Sequence, residues 1–166
     1  MTHVEMIKEM AKMQEALDEA LLEKGRQLGK IEEFDRDRCT FALIDELGEM
    51  VHELKGDWCW WKATQKPVDR QKVLEELVDV WHFTLSLDNN NREFALPNFF
   101  ILGKLHPSND MIIITINKTI EDAYSGYNIS NRVYALTYLL GFTMEDVYQG
   151  YIKKNKENYE RIASGY

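Results

Sequence analysis

Apolar residues recur every three or four positions along most of this chain, which is the spacing of amphipathic α-helices. The pattern predicts helices at residues 4–24, 36–56, about 69–87 and 129–140, and a last helix that opens after Thr143. The run MIIITINKTI, residues 111–120, fits either a buried strand or a buried helix. We favour a helix, because no partner strand is evident and Ser108 or Asn109 could cap it. The sequence therefore predicts an all-α helical bundle.

Two of these helices carry a pair of acidic residues. Glu46 and Glu49 lie on the second helix, and Glu76 and Asp79 lie on the third. Residues three apart share a helix face, so each pair presents two carboxylates side by side. If the two helices faced each other, four carboxylates would meet, and they could stay charged only around a cation. Oxygen ligands in this number suit Mg²⁺, which in turn suggests phosphate chemistry.

The surroundings of the two acidic pairs differ. On the second helix the apolar stripe lies opposite Glu46 and Glu49, which is also the pattern of a solvated surface. The third helix is apolar nearly all round, because Val80, Phe83 and Leu87 accompany Glu76 on the side opposite its main stripe. Such a helix is buried, and carboxylates there must be paired or bind metal. The second pair therefore favours a functional site.

The last helix carries a group of polar and basic side chains. Lys154, Asn158 and Arg161 follow one another at i, i+4 and i+7 on one face, with Asn155 beside them. The group fits a solvated surface near a C-terminus, and it also fits a set of donors for phosphate oxygens. The sequence has no Gly-rich phosphate loop, so any phosphate binding must rely on metal and on side chains.

Two connections stand out. Trp58, Trp60 and Trp61 crowd the segment after the second helix, where they could pack in the core or a dimer interface, or form a wall against a flat base. Residues 88–110 have polar turn residues at both ends and an apolar middle. A loop of this length in a compact domain is often functional or mobile.

Composition narrows the class of protein. A chain of 166 residues is expected to form one domain, here residues 1–166. The net charge of −8 argues against binding a nucleic-acid polymer, although a metal ion could still allow a nucleotide to bind. No apolar stretch reaches the length of a membrane helix, and the N-terminus does not resemble a signal peptide. We therefore expect no membrane partner and a cytoplasmic location. We also expect Cys39 and Cys59 to be free thiols with structural roles.

These motifs resemble the dimeric, all-α dUTPases, which belong with the MazG-like nucleotide pyrophosphatases and are common in phages and some bacteria. Four blocks carry the resemblance across almost the whole chain. They are Gln14-x-x-Leu17-Asp18, Glu46-x-x-Glu49, Glu76-x-x-Asp79 with His82-Phe83, and Lys154-Asn155-x-x-Asn158-x-x-Arg161 before Gly165-Tyr166. The resemblance implies a homodimer that hydrolyses dUTP, and dUDP as a further candidate substrate, to dUMP.

The resemblance also implies a role for each acidic residue. Glu46, Glu49, Glu76 and Asp79 would coordinate two or more Mg²⁺ ions. One carboxylate of the first pair, with Glu49 preferred over Glu46, would act as the general base on the attacking water.

Further residues would bind the nucleotide. Gln14 would help read the uracil edge, with Asp18 at a position where some family members carry Asn. Phe83 would pack on the deoxyribose and leave no room for a 2′-hydroxyl. Trp61 would lie near the base. The phosphates would be bound by Lys62, Lys154, Asn155, Asn158 and Arg161.

Three other functions fit part of the pattern. A MazG-like pyrophosphatase would use the same carboxylates on dCTP or other nucleotides. A di-iron bundle protein would use Glu-x-x-His motifs on facing helices, which Glu49-x-x-His52 and Asp79-x-x-His82 approximate. A non-catalytic helical interaction protein would need neither metal nor nucleotide.

Overall fold

The computed structural model describes residues 1–91 and 106–165, and this part of the chain is helical without any strand. The all-α prediction is confirmed. The helices are α1 (His3–Gln27), α2 (Arg36–Glu53), α3 (Lys55–Trp58), α4 (Arg70–Asn89), α5 (Asn109–Ser125), α6 (Ser130–Leu139) and α7 (Met144–Ser164). Among the described helices, none combines the length and the apolar character needed to cross a membrane.

Most helices begin where the sequence predicts. Ser108 caps α5 by accepting a hydrogen bond from the Met111 N–H, which confirms the helical interpretation of residues 111–120. Thr143 opens α7 with a capping box that Asp146 completes. The predicted end of the second helix near Gly56 is wrong, because α2 ends at Glu53 and Gly56 lies inside the short helix α3. In the predicted loop at residues 88–110, positions 92–105 lie outside the described residues.

Helix α4 is the centre of the bundle and packs against α1, α2, α6 and α7. Most of its apolar residues are buried, as the sequence predicts: Val73, Leu77, Val78, Val80, Trp81, Leu85 and Leu87. Leu74 and Phe83 are half-buried. The helix that carries Glu76 and Asp79 therefore has fixed neighbours on several faces. This rigidity is what a site on its surface needs.

Gly150 lets α7 approach α4 closely. A Cβ atom at this position would lie 2.7 Å from Val78 Cγ2, a distance that real Cβ atoms do not reach. One turn further along α7 stands Lys154, and next to Val78 on α4 stands Asp79. The absent side chain thus brings the basic face of α7 within reach of the second acidic pair.

Helix α5 is less buried than the sequence predicts. Ile113 and Ile114 are 43% and 51% exposed, because α5 packs against α6 and α2 and turns a third face outward. Beside it, an apolar cavity of about 230 Å³ lies against Leu54, Trp58 and Ile112. The periodicity of α5 identifies a helix with apolar residues on every side. It does not predict which of these sides packs against another helix.

Asp88, at the end of α4, ties the start of α6 to the core. It is 1% exposed and accepts hydrogen bonds from the backbone N–H groups of Ile129 and Ser130, each at 2.9 Å, and from the Ser130 hydroxyl. The free N–H groups at a helix start attract a negative charge, so a buried carboxylate is well placed here.

We expect Asp88→Ala to lower the free energy of unfolding by about 3 kcal/mol, because three buried donors lose their acceptor. Asp122→Ala is the matched control, since it removes a half-buried carboxylate whose partner Arg132, 2.7 Å away, is exposed. That change should cost less than about 1 kcal/mol. Urea denaturation of both variants measures the difference. Equal losses would show that the Asp88 contacts add nothing beyond an ordinary ion pair.

Candidate active site

Three of the four predicted carboxylates meet between α2 and α4. Glu46, Glu49 and Glu76 each place one oxygen so that the three atoms lie within 4.8 Å of one another. The fourth, Asp79, lies one turn beyond Glu76, where Lys154 Nζ donates to its Oδ2 at 2.5 Å. Glu49 is exposed, whereas Glu46, Glu76 and Asp79 are half-buried. The structure therefore joins the two acidic motifs on one surface.

The carboxylates raise each other's pKa values. Burial raises the pKa of Glu46 to about 7, and the negative charges of Asp79, Glu49 and Glu76 add to the rise. Burial also raises the pKa of Glu76, again assisted by Glu49 and Asp79. For Asp79 the rise from burial is opposed by the hydrogen bond from Lys154. Lys154 offsets only part of this repulsion, and a bound cation would supply further positive charge.

The raised pKa of Glu46 predicts how the stability of the fold depends on pH. Between its ordinary pKa of 4.5 and its folded pKa of about 7, Glu46 binds more protons in the folded than in the unfolded chain. In EDTA we therefore expect the melting temperature to rise as the pH falls from about 8 to about 6.5. Below that window His82, whose pKa burial lowers to about 3, acts in the opposite direction.

Thermal denaturation of wild type and Glu46→Gln across the same pH window checks this expectation. The variant carries no titrating group at this position, so its melting temperature should change less with pH. Saturating Mg²⁺ should also flatten the wild-type profile. Parallel profiles for the two proteins in EDTA would contradict the raised pKa of Glu46.

The ligand chemistry fits a hard cation such as Mg²⁺. All three clustered atoms are carboxylate oxygens, which is the set that Mg²⁺ prefers. Within residues 1–91 and 106–165, the group includes neither His52 nor His82. His82 is 4% exposed, and its Nδ1 is 2.7 Å from Gln14 Oε1. The Glu-x-x-His pattern of a di-iron protein is thus not assembled in the described part of the chain.

Gln14 lies in a buried polar network rather than on an open surface. It is 3% exposed, and its Nε2 donates to Asp18 Oδ1 at 2.7 Å and to Ser86 Oγ at 2.9 Å. Its Oε1 accepts from the Tyr151 hydroxyl at 2.5 Å and faces His82 Nδ1. The network joins α1, α4 and α7, and in this structure every polar atom of the Gln14 amide has a partner.

Asp18 and Phe83, two predicted nucleotide-binding residues, line one cavity of about 300 Å³ between α1, α2 and α4. Ser86 and Cys39 line it as well. Burial raises the pKa of the Cys39 thiol to about 12, so Cys39 acts as an apolar wall. Most of the cavity wall is apolar, and its charged lining residues are Asp18, Asp35 and Arg38. Such a lining suits a flat ring with a polar edge.

Trp61 and Lys62 stand on the surface after α3. Trp61 is 58% exposed, and its ring packs against Trp58 with centroids 5.6 Å apart. Trp58 is held by a hydrogen bond from its Nε1 to the Val51 carbonyl at 2.8 Å. Neither Trp61 nor Lys62 belongs to the carboxylate group or to the walls of the cavity that Asp18 lines.

The polar face of α7 is directed towards α4. Lys154 contacts Asp79, and the positive charge of Arg161 lowers the pKa of Asp79. Both cations are therefore on the side of α7 that faces Asp79. Asn155 is buried, and its Nδ2 has no hydrogen-bond partner. Asn158 is half-buried. Of the predicted phosphate-binding residues of α7, Lys154 and Arg161 thus act on the predicted metal ligand Asp79.

Ser86 and Tyr151 are not among the residues that the sequence motifs predict for the site. Each lies one turn from a motif residue, Ser86 four positions after His82 and Tyr151 four before Asn155. Polar side chains at i and i+4 on an otherwise buried helix are a signal of a buried network. That signal indicates the spacing, but not which helices meet.

The comparison with protein families agrees with this site. The family model for dUTPase matches residues 6–166. The chain belongs to the dUTPase family. Among curated proteins, none matches the sequence. As a dUTPase the chain is a nucleotide pyrophosphohydrolase, a dUTP diphosphatase.

Proposed function

We propose that this dUTPase hydrolyses dUTP to dUMP and pyrophosphate with two or more Mg²⁺ ions held by Glu46, Glu49, Glu76 and Asp79. The convergence of three carboxylates within 4.8 Å, from two helices, carries the proposal. Their raised pKa values mean that the metal-free site is short of positive charge. When bound, Mg²⁺ supplies charge that polarises phosphate oxygens and makes water a better nucleophile.

Glu49 is the candidate general base. It is the exposed member of the carboxylate group, so water can reach it, whereas Glu46 and Glu76 are half-buried. A carboxylate beside the attacking water accepts a proton as the oxygen approaches phosphorus. Glu46, the other catalytic candidate, lies one turn away and assists by holding the ligand geometry.

The phosphates would bind along α7. Lys154, Asn158 and Arg161 form one face, and Lys154 already contacts a carboxylate of the metal site. An Arg fork and a Lys point charge stabilise the negative charge that develops on the leaving pyrophosphate. Lys62 and Asn155 complete the proposed set.

The nucleoside would occupy the cavity that Asp18 and Phe83 line. Phe83 would pack against the deoxyribose and exclude a 2′-hydroxyl. Gln14 and Asp18 would select the uracil edge, and Trp61 would lie near the base. Discrimination by apolar contacts alone is weak, so a tight pocket is needed to reject the 2′-hydroxyl and the thymine methyl group.

The enzyme would act as a single domain, residues 1–166, and pair into a homodimer. Exposed apolar side chains of Ile113, Ile114 and Trp60 support an interface with a second copy. With a net charge of −8, we propose dUTP and the second copy as partners, and neither a nucleic-acid polymer nor a membrane. The cytoplasmic location and the phage or bacterial origin stay predictions from the sequence.

Pyrophosphate release with Mg²⁺ from dUTP, dCTP, dTTP, dATP, dGTP and UTP tests the proposal. Release from dUTP alone would support both the metal site and the uracil pocket, and adding dUDP would show whether a diphosphate is cleaved. Release from dCTP or several nucleotides would instead favour the MazG-like alternative. No release from any nucleotide would overturn the proposed function.

A further inference from the structure

The network around Gln14 has one consistent arrangement of protons. An ionised Asp18 can only accept hydrogen bonds, so the end of the Gln14 amide that faces it must be the nitrogen. That nitrogen donates to Asp18 Oδ1 at 2.7 Å and to Ser86 Oγ at 2.9 Å. The Gln14 oxygen therefore points the other way, towards two groups that must donate to it.

Those two groups are Tyr151 and His82. The Tyr151 hydroxyl donates to Gln14 Oε1, and His82 Nδ1 lies 2.7 Å from the same atom. His82 is neutral because burial lowers its pKa to about 3, so Nδ1 carries the ring proton and Nε2 is left without a partner. The two rings stack at 4.0 Å with an angle of 12°, which holds both donors in place.

At the other end of the network, one carboxylate oxygen of Asp18 accepts hydrogen bonds and the other does not. Its Oδ1 accepts from Gln14 and from the Ser86 hydroxyl, the latter at 2.7 Å, whereas its Oδ2 is buried and has no hydrogen-bond partner. Asp18 also lines the cavity of about 300 Å³ beside Phe83. A buried acceptor without a donor is costly, and an N–H group of a ligand would remove that cost.

Uracil and cytosine differ at N3, the ring atom that an acceptor such as Asp18 Oδ2 would contact. Uracil presents an N3–H donor, whereas cytosine presents a lone pair at N3, which a carboxylate repels. The arrangement works only while Asp18 is ionised. Burial raises its pKa, and the hydrogen bonds from Ser86 and Gln14 oppose that rise.

We propose that Tyr151 and His82 are positioning residues for base selection. They hold the Gln14 amide in one orientation, and Gln14 in turn holds Asp18 as an ionised acceptor for the N3–H group of uracil. Neither positioning residue needs to touch the base. This inference rests on the proposed function, and it gives dUTP a preference over dCTP that depends on two remote donors.

The test is the ratio of kcat/KM for dUTP to kcat/KM for dCTP. In Tyr151→Phe the Gln14 oxygen loses one of its donors, so we expect the ratio to fall by about 3- to 10-fold, the value of one net hydrogen bond. Tyr148→Phe removes a hydroxyl one turn earlier on the same helix, outside the network, and should keep the wild-type ratio. The melting temperature of each variant shows that both are folded.

A second pair of variants covers the case in which Tyr151→Phe does not fold. In His82→Asn an amide N–H can replace Nδ1, whereas His82→Leu offers no donor. We expect the Asn variant to keep most of the selectivity, and the ratio in the Leu variant to fall by about 3- to 10-fold, as in Tyr151→Phe. A wild-type ratio in Tyr151→Phe, or equal ratios in the two His82 variants, would overturn the inference while dUTP hydrolysis by the wild type still stands. A wild type that releases no pyrophosphate from dUTP would overturn the proposed function and this inference together.

Discussion

Glu49→Gln is expected to lower the turnover of dUTP by at least about 1,000-fold, because the amide neither accepts the proton of the attacking water nor completes the metal site. The metal-free fold should not suffer. Glu49 is exposed, and its charge contributes to the raised pKa values of Glu46 and Glu76. Removing that charge relieves repulsion, so we expect the melting temperature in EDTA to equal or exceed that of wild type.

Asp45→Asn is the matched control. Asp45 is exposed on the same helix, one turn before Glu49, and does not belong to the carboxylate group. The two variants lose the same charge, so a general electrostatic effect on dUTP would appear in both. We expect Asp45→Asn to keep wild-type turnover within about twofold. Glu49→Gln with substantial activity would refute the assignment of Glu49 as the general base.

The sequence predicts the acidic site because local rules determine it. Three-residue spacing places Glu46 with Glu49 and Glu76 with Asp79, whatever the tertiary structure. The nearly uniform apolar surface of α4 correctly indicates a central buried helix, and this is why carboxylates on that helix are informative. What the spacing leaves open is whether α2 and α4 face each other, and the structure answers this.

Contacts between helices that are distant in the sequence cannot be predicted from local patterns. Gln14 is a candidate for reading uracil, yet its partners come from α4 and α7, and no local pattern specifies that these helices meet at Tyr151. The exposure of Ile113 could not be predicted for the same reason, because it depends on which helices pack against α5. Periodicity defines the faces of a helix, but the partner of each face depends on how the whole bundle packs.

Lys154 is the residue whose role changes most between sequence and structure. The resemblance assigns it to phosphate, whereas in the structure its Nζ contacts Asp79 Oδ2 at 2.5 Å, with side chains that are 26% and 15% exposed. Its positive charge lowers the pKa values of Glu46, Glu76 and Asp79. Lys154 therefore supplies part of the positive charge that these carboxylates need, and we expect it to compete with a metal ion for Asp79.

Lys154→Met should therefore lower both the activity and the melting temperature in EDTA, and it should increase the stabilisation by Mg²⁺. The kcat/KM for dUTP should fall by about 100-fold, because a charge that stabilises the phosphates is lost. The melting temperature in EDTA should also fall, because Asp79 keeps its charge without a partner. Saturating Mg²⁺ should then raise the melting temperature by more than it does in wild type, because the competing cation is gone.

Lys153→Met separates this role from a general loss of charge on α7. Lys153 is 78% exposed and pairs weakly with Glu157 at 3.8 Å, so its removal should change neither the activity nor the response to Mg²⁺. Together with Glu49→Gln, these variants test one electrostatic argument, since the loss of a negative charge stabilises the metal-free site and the loss of a positive charge destabilises it. If Lys154→Met responded to Mg²⁺ no more than wild type, its contact with Asp79 would not compete with the metal, and binding phosphate would be its only role.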